Sequence, residues 1–146
     1  MTPLPPSLHR HLSSSSSDQA ESTTSYIERG GSLAAGPAIE SLQRLLPVLH
    51  AKIRQLHDAG RLRARLELLA TYFAEIRAER RATTTAVREA AFALLYFLKG
   101  SDRIPDTVPE VGLLDDAVIV QLVMERHEAV LRAHWQSHGR SWPEGV

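Results

Sequence analysis

"AAFALLYFLKGSDRIPDTVPEVGLLDDAVIVQLV", residues 90–123, decides the fold, because two apolar runs lie on either side of a connection rich in proline, glycine and aspartate. Neither run approaches the about 20 apolar residues that a membrane crossing requires. Apolar runs of this length are typical of helices buried in a protein core. The stretch therefore predicts a helical hairpin, with helices over about 86–98 and about 115–135.

The four aspartates of the connection have two interpretations. In the first they shape the chain: Asp102 and Asp106 form turns and caps, and Asp115 or Asp116 caps the second helix. In the second, Asp102, Asp106, Asp115 and Asp116 supply oxygen ligands to Mg²⁺ or Ca²⁺, and the domain is a metal-binding, hydrolytic one. The spacing is not that of an EF-hand loop. We favour the first interpretation, because bonding between such side chains and the nearby backbone explains most aspartates in connections.

Two stripes of apolar residues precede the hairpin. Between residues 42 and 56, and again between 62 and 76, leucine, isoleucine and phenylalanine recur every three or four positions, as on one helical face. The stripes predict two amphipathic helices that pair in antiparallel fashion across a turn at 58–60. No sustained alternation predicts a strand. The fold class is therefore all-α, a small helical domain of about four helices.

The N-terminal segment differs from this pattern. Residues 1–32 are predicted to be a disordered tail, because serine, proline and glycine predominate and little can be buried. The helical domain then spans 33–138, and residues 139–146 are expected to be a flexible C-terminus. One threonine of 83–85 is expected to cap the third helix, since a hydroxyl satisfies a free N–H there.

The composition excludes several classes of function. The formal net charge is zero, so we expect no nucleic-acid partner, which usually requires a basic excess. Cysteine is absent, which excludes disulfides and thiolate chemistry. His127 and Glu128 begin like a zinc-protease motif, but position 131 is leucine. His127, His134 and His138 could share a helical face, and we interpret them as exposed side chains rather than ligands.

The zero net charge conceals an uneven distribution. Residues 44–89 carry ten basic and five acidic side chains, whereas residues 99–128 carry three basic and seven acidic ones. Packing of the basic part beside the acidic part, each with a solvated face, would explain this uneven distribution. The functional alternative is a basic surface that contacts anionic lipid or an acidic partner. Its members are Arg61, Arg63, Arg65, Arg77, Arg80 and Arg81.

The opening stretch resembles the signature of the YkvA-like bacterial family, whose defining domain is domain of unknown function 1232. We place this signature at 86–125. The sequence departs from the family pattern at 99–101 and at Arg103. The resemblance implies a helical bacterial domain without an agreed activity, some of whose relatives are membrane-associated, and it transfers no catalytic residue. The matching positions are Asp102, Ile104, Pro105, Asp106, Pro109, Gly112, Asp115 and Asp116.

These observations predict a non-enzymatic interaction domain that needs no cofactor. Its expected partner is a protein or an anionic membrane surface. Its expected location is the cytoplasm, peripheral to the inner face of the membrane. The metal-binding domain built on the aspartates, with Mg²⁺ or Ca²⁺ as its ion, is the alternative.

Overall fold

The computed structural model describes residues 23–56, 61–103 and 109–146, with side chains over 24–56, 61–98 and 116–146. These residues form helices and no strand, so the all-α prediction is confirmed. The described residues form six helices rather than the predicted four or so: α1 (Thr23–Leu33), α2 (Pro37–Arg54), α3 (Arg61–Ala78), α4 (Thr85–Arg103), α5 (Pro109–Arg126) and α6 (Glu128–Ser137).

Helix α4 is the centre of the bundle. Each residue from Ala90 to Leu95 is at most 2% exposed, so this part of the helix is enclosed on all sides. Helices α1, α2, α3 and α5 all pack against it. At its start, the hydroxyl of Thr84 accepts a hydrogen bond from the backbone N–H of Val87 at 3.4 Å, which confirms the predicted threonine cap.

Helices α2 and α3 form the predicted antiparallel pair. Arg77 in the last turn of α3 donates to Gln43 in the first half of α2, at 3.1 Å. Helix α2 continues through Pro47 instead of restarting there. The apolar stripes face inward, as their spacing predicted, with Leu42, Leu49, Ile53, Leu62, Leu66, Leu69, Phe73 and Ile76 all buried.

The prediction of a disordered tail is wrong for residues 23–32, which form most of helix α1. Ile27 on this helix is fully buried, and the ring of Tyr26 meets that of Phe92 edge-on, with centroids 5.4 Å apart. The glycines that suggested disorder allow α1 to approach α4 closely. A β-carbon at Gly30 would lie 2.4 Å from the ring of Phe92. Residues 1–22 lie outside the described residues.

The hairpin helices have other boundaries than predicted. Helix α4 extends to Arg103, so Asp102 lies within a helix and not in a turn after it. Helix α5 begins at Pro109, a residue suited to the first helical position because it has no N–H to leave unpaired. Asp115 and Asp116 therefore lie about two turns inside α5, and the prediction that either caps a helix is wrong.

The C-terminal segment folds back onto the bundle. The expected helix to about 135 divides at His127, and α6 follows. The predicted flexible end at 139–146 is also incorrect. The ring of Trp142 lies 5.9 Å from that of Trp135, and the guanidinium of Arg132 lies 4.7 Å above Trp142. These aromatic contacts anchor the last residues of the chain.

Over the described parts of the chain, no helix combines the length and the apolar character that a membrane crossing requires.

Candidate functional site

The carboxylate of Glu89, in the first turns of α4, is buried and only 2% exposed. Arg126 at the end of α5 binds both of its oxygens, with Nε 2.9 Å from Oε1 and Nη2 3.1 Å from Oε2. His127 Nε2 lies 2.8 Å from the same Oε1. We call these three residues the Glu89 cluster.

The Glu89 cluster ties three helices together. Arg126 also contacts Glu28 of α1 at 3.4 Å, so α1, α4 and α5 meet at this guanidinium. A β-carbon at Gly31 of α1 would lie 2.5 Å from the Glu89 side chain, so only glycine leaves room there. The hydrogen bond with Glu89 raises the pKa of Arg126, which shows how well the two charges match. Because Arg126 neutralises its charge, the carboxylate of Glu89 is suited to holding the helices together rather than to acid–base chemistry.

A second group of charged side chains lies where α6 packs beside the end of α3. Glu75 lies in the last turn of α3 and Glu79 follows four positions later, directly after the end of the helix. His134 and His138 are likewise four positions apart at the C-terminal side. His134 Nε2 lies 2.8 Å from Glu75 Oε1, and His138 Nε2 lies 2.6 Å from Glu79 Oε2. Arg140 Nη2 lies 2.6 Å from Glu75 Oε1. We call these five residues the C-terminal cluster.

Neighbouring groups orient both imidazoles of the C-terminal cluster. His138 Nδ1 donates to the backbone carbonyl of His134 at 2.8 Å. The guanidinium of Arg81 donates to His134 Nδ1 at 3.4 Å. The ring of Tyr72 meets that of His134 edge-on, with centroids 5.0 Å apart. His134 is 4% exposed, so its imidazole is held on every side.

These contacts shift the protonation of the C-terminal cluster. Burial pushes the pKa of Glu75 upward, but hydrogen bonds from Arg140 and His134 outweigh it and leave that pKa below its ordinary value. The hydrogen bond with Glu79 raises the pKa of His138, and the same bond lowers the pKa of Glu79. Burial raises the pKa of Tyr72. The pair of His138 and Glu79 thus favours a charged imidazole beside a charged carboxylate.

The C-terminal cluster also contains residue types that hold metal ions. Glu75, His134 and His138 each offer one ligand atom, and these three atoms lie within 4.8 Å of one another. Two imidazoles and one carboxylate are ligand types that zinc accepts. Among the described residues this is the one such group with three members.

The aspartates that the sequence singled out lie elsewhere. Asp116 is buried, 2% exposed, inside α5. Asp102 and Asp115 lie within helices, but their side chains are outside the described part. Asp106, Ile104 and Pro105 lie outside the described residues altogether, and Pro109 and Gly112 belong to the first turns of α5. Whether the aspartates converge on an ion stays a prediction.

The predicted basic surface does not form one continuous face. Arg61, Arg63 and Arg65 lie at the beginning of α3, and Arg77 lies in its last turn, about 24 Å away from Arg61 at 1.5 Å per residue. Arg80 and Arg81 follow the end of the helix. The six arginines therefore divide between the two ends of α3.

Sequence reasoning named the histidines of both clusters but missed the glutamates and arginines that pair with them. Glu89 was assigned no role, because it lies next to Arg88 at the polar edge of the apolar run that begins at Ala90. The prediction that His134 is exposed is wrong, since Tyr72 and Glu75 cover it. The paired i, i+4 spacing of Glu75 with Glu79 and of His134 with His138 was the available signal.

Comparison with known proteins is informative for one segment of the chain. Residues 86–122 match the model of the family described as protein of unknown function (DUF1232). No curated protein and no solved structure matches the chain. The match covers about a quarter of the chain and includes nearly all of α4, most of α5 and the buried Glu89 and Asp116. The resemblance seen in the sequence is confirmed for this segment: residues 86–122 are similar to the DUF1232 family.

Proposed function

We propose that this protein is a non-enzymatic helical interaction domain that docks peripherally on an anionic membrane surface. The docking surface is the end of the bundle where α2 ends and α3 begins, and we call it the basic end. Its members are Arg54, Arg61 and Arg65. The observation that carries the proposal is that these three arginines make no ion pair with any described residue.

The position of these arginines supports the proposal. Arg54 and Arg61 are exposed and lie seven positions apart along the chain, at the facing ends of two antiparallel helices. Arg65 follows Arg61 by one helical turn and therefore shares its face. Each cationic side chain near an anionic lipid surface contributes about 1 kcal/mol of attraction. Three together contribute about 3 kcal/mol, a useful affinity for reversible docking.

The opposite end of α3 is less suited to that role. Arg81 there lies 3.7 Å from Glu79 and contacts His134, and Arg77 donates to Gln43. A charge that is matched within the protein, as that of Arg81 is, attracts an external anion less strongly, and the hydrogen bond to Gln43 restrains the side chain of Arg77. The division of the predicted basic surface between two ends thus favours the basic end as the docking surface.

Vesicle binding tests the proposal. The full chain is sedimented with vesicles of phosphatidylglycerol and phosphatidylcholine, and with vesicles of phosphatidylcholine alone, at low and at high salt. We expect binding to the anionic vesicles alone, lost as salt screens the attraction. Replacing Arg54, Arg61 and Arg65 by glutamine should weaken this binding on the order of 100-fold.

The matched control replaces Arg77, Arg80 and Arg81 by glutamine, which removes the same charge from the other end of α3. This variant should retain most of the binding. Equal weakening by both triple variants would contradict a defined docking surface. Equal binding to neutral vesicles, or none to anionic vesicles at low salt, would contradict the membrane proposal itself.

The alternative function, a Mg²⁺- or Ca²⁺-dependent hydrolytic domain using Asp102, Asp106, Asp115 and Asp116, stays a prediction. An ion bound only to the native state stabilises it by mass action. A rise in melting temperature with Mg²⁺ or Ca²⁺ that is lost in both Asp102→Ala and Asp106→Ala would support this alternative.

A further inference from the structure

The C-terminal cluster has the form of a metal site that joins two distant parts of the chain. Glu75 comes from α3, while His134 and His138 come from the C-terminal segment, about 60 residues later. The three ligand atoms already lie within 4.8 Å of one another. A tetrahedral zinc site places its ligand atoms about 3.3 Å apart, so small side-chain rotations would complete the arrangement.

The supporting hydrogen bonds resemble those of metal-binding histidines. Such histidines usually donate one ring N–H to a carbonyl or carboxylate, which turns the other nitrogen towards the ion. His138 does this, because its Nδ1 donates to the backbone carbonyl of His134 at 2.8 Å. Ser137 Oγ lies 3.0 Å from the same nitrogen. The Nε2 atom of His138 is thereby presented to the α3 side chains.

Cations of the protein now neutralise the carboxylates of the cluster. Arg140 lies 2.6 Å from Glu75, and Arg81 lies 3.7 Å from Glu79. An incoming ion must take over Glu75 from Arg140. It must also displace the proton that His138 Nε2 shares with Glu79 and the one that His134 Nε2 shares with Glu75. His134 then keeps a proton on Nδ1, so the N–H of Arg81 must leave that nitrogen. The side chain of Arg81 is 53% exposed and can turn into solvent to make room. The same side chains can thus form ion pairs without a metal or bind a metal ion.

We propose that Glu75, His134 and His138 form a binding site for a divalent transition-metal ion of the zinc type, and that the ion fastens the C-terminal helix α6 to α3. The ligand set is two imidazoles and one carboxylate, with a fourth position open to water. Imidazole ligands select zinc, nickel or copper over the hard cations Mg²⁺ and Ca²⁺. The site is separate from the aspartates of 102–116 and from the basic end.

Calorimetry and thermal unfolding of the full chain test this site. We expect Zn²⁺ to bind at one site, to release protons and to raise the melting temperature, and equal Mg²⁺ to do neither. His138→Ala and Glu75→Gln should each weaken Zn²⁺ binding at least about tenfold. These two positions are chosen because His134 is buried, and its replacement would disturb folding in any case.

Control variants address histidines elsewhere in the chain. His50→Ala on α2 and the double variant His9→Ala, His11→Ala should leave Zn²⁺ affinity within about twofold of the wild type. Metal-free melting of each variant confirms that it folds. Co²⁺, which replaces Zn²⁺ in such sites, should give strong visible absorption bands that His138→Ala abolishes. Absence of Zn²⁺ binding, or Zn²⁺ binding that persists unchanged in both His138→Ala and Glu75→Gln, would overturn the proposal.

Discussion

Gly30 shows how one residue decides whether a segment is a tail or part of the core. Its side of α1 lies against the ring of Phe92, which is fully buried. Alanine favours helices over glycine by about 0.5–1 kcal/mol, but here its β-carbon would lie 2.4 Å from that ring. Overpacking of this kind costs about 1–3 kcal/mol, so the packing effect outweighs the gain in propensity.

We therefore predict that Gly30→Ala lowers the free energy of unfolding by about 1–2 kcal/mol, measured by urea denaturation. Ser32→Ala, at an exposed position on the same helix, is the control and should change stability by less than about 0.5 kcal/mol. A Gly30→Ala variant as stable as the wild type would mean that α1 does not dock on α4 in solution.

The Glu89 cluster predicts an asymmetry between two partners of one ion pair. Glu89 is 2% exposed in its side chain and Arg126 is 25% exposed, so the loss of Arg126 leaves a charge with little access to water. Removing the partner of a buried charge in this way lowers the free energy of unfolding by about 3–5 kcal/mol. We predict that Arg126→Met destabilises the protein more than Glu89→Met does, because a stranded guanidinium can still reach solvent.

The double variant Glu89→Met, Arg126→Met completes the cycle, and it should be more stable than Arg126→Met alone. Arg63→Met serves as the control, because Arg63 and its partner Glu67 are 46% and 52% exposed and such surface pairs contribute little. Equal destabilisation by the two single variants would show that Glu89 is not the sensitive side of the pair. Urea denaturation of all four variants provides the comparison.

At the scale of elements, α6 is held against α3 by side chains whose charge depends on pH. His138 pairs with Glu79, and Glu75, His134 and Arg81 surround the pair. The raised pKa of His138 means that its contribution is complete below pH 6.5 and is lost as pH rises through the folded value. The lowered pKa of Glu79 means that its contribution is complete above pH 4.5 and is lost as pH falls through the folded value. The pair therefore holds α6 best between these two limits.

An NMR titration of His138 in the presence of a chelator measures this coupling. We predict a midpoint above the ordinary value of 6.5 in the wild type. Glu79→Gln should lower the midpoint, because it removes the negative charge that favours the imidazolium. Arg63→Gln, at an exposed position in the first turn of α3, is the control. A His138 midpoint that does not respond to Glu79→Gln would show that the two side chains are apart in solution.

The helices differ in how far the sequence predicted them, and the reason is physical. The stripes of α2 and α3 have strong helical periodicity, so their existence, pairing and buried faces were correct. Helix α1 was missed because Gly30 and Gly31 lower helix propensity, and their benefit is a close approach to α4 that only tertiary packing reveals. The start of α5 was misplaced because Pro109 was interpreted as a turn residue when it occupies a first helical turn.

For the whole molecule, the fold class and the family segment were predictable, whereas the charged clusters were not. A periodic pattern along one helix predicts which face is buried. It does not predict which residues of distant helices meet. Glu75 and His134 are 59 positions apart, and Glu89 and Arg126 are 37 apart. The contact between the rings of Trp135 and Trp142 likewise could not be predicted from the sequence.

The family segment depends on the rest of the molecule for its stability. Residues 90–95 of α4 are buried on all sides, and α1, α2 and α3 supply three of those sides. Without them, the apolar faces of α4 and α5 would be exposed to water. Domains of about 40 residues rarely fold without a disulfide, a metal or a partner, and this chain contains no cysteine.

We therefore predict that an isolated peptide of residues 85–126 shows no cooperative thermal transition by circular dichroism, whereas the full chain shows one. The peptide should remain partly helical because its intrinsic propensity persists, but its amides should exchange hydrogen rapidly. A peptide with the same composition and a scrambled order is the control for propensity alone. A sharp, cooperative transition in the isolated segment, with slowly exchanging amides, would contradict this prediction. It would show that α4 and α5 fold as a unit without the packing of α1, α2 and α3 around them.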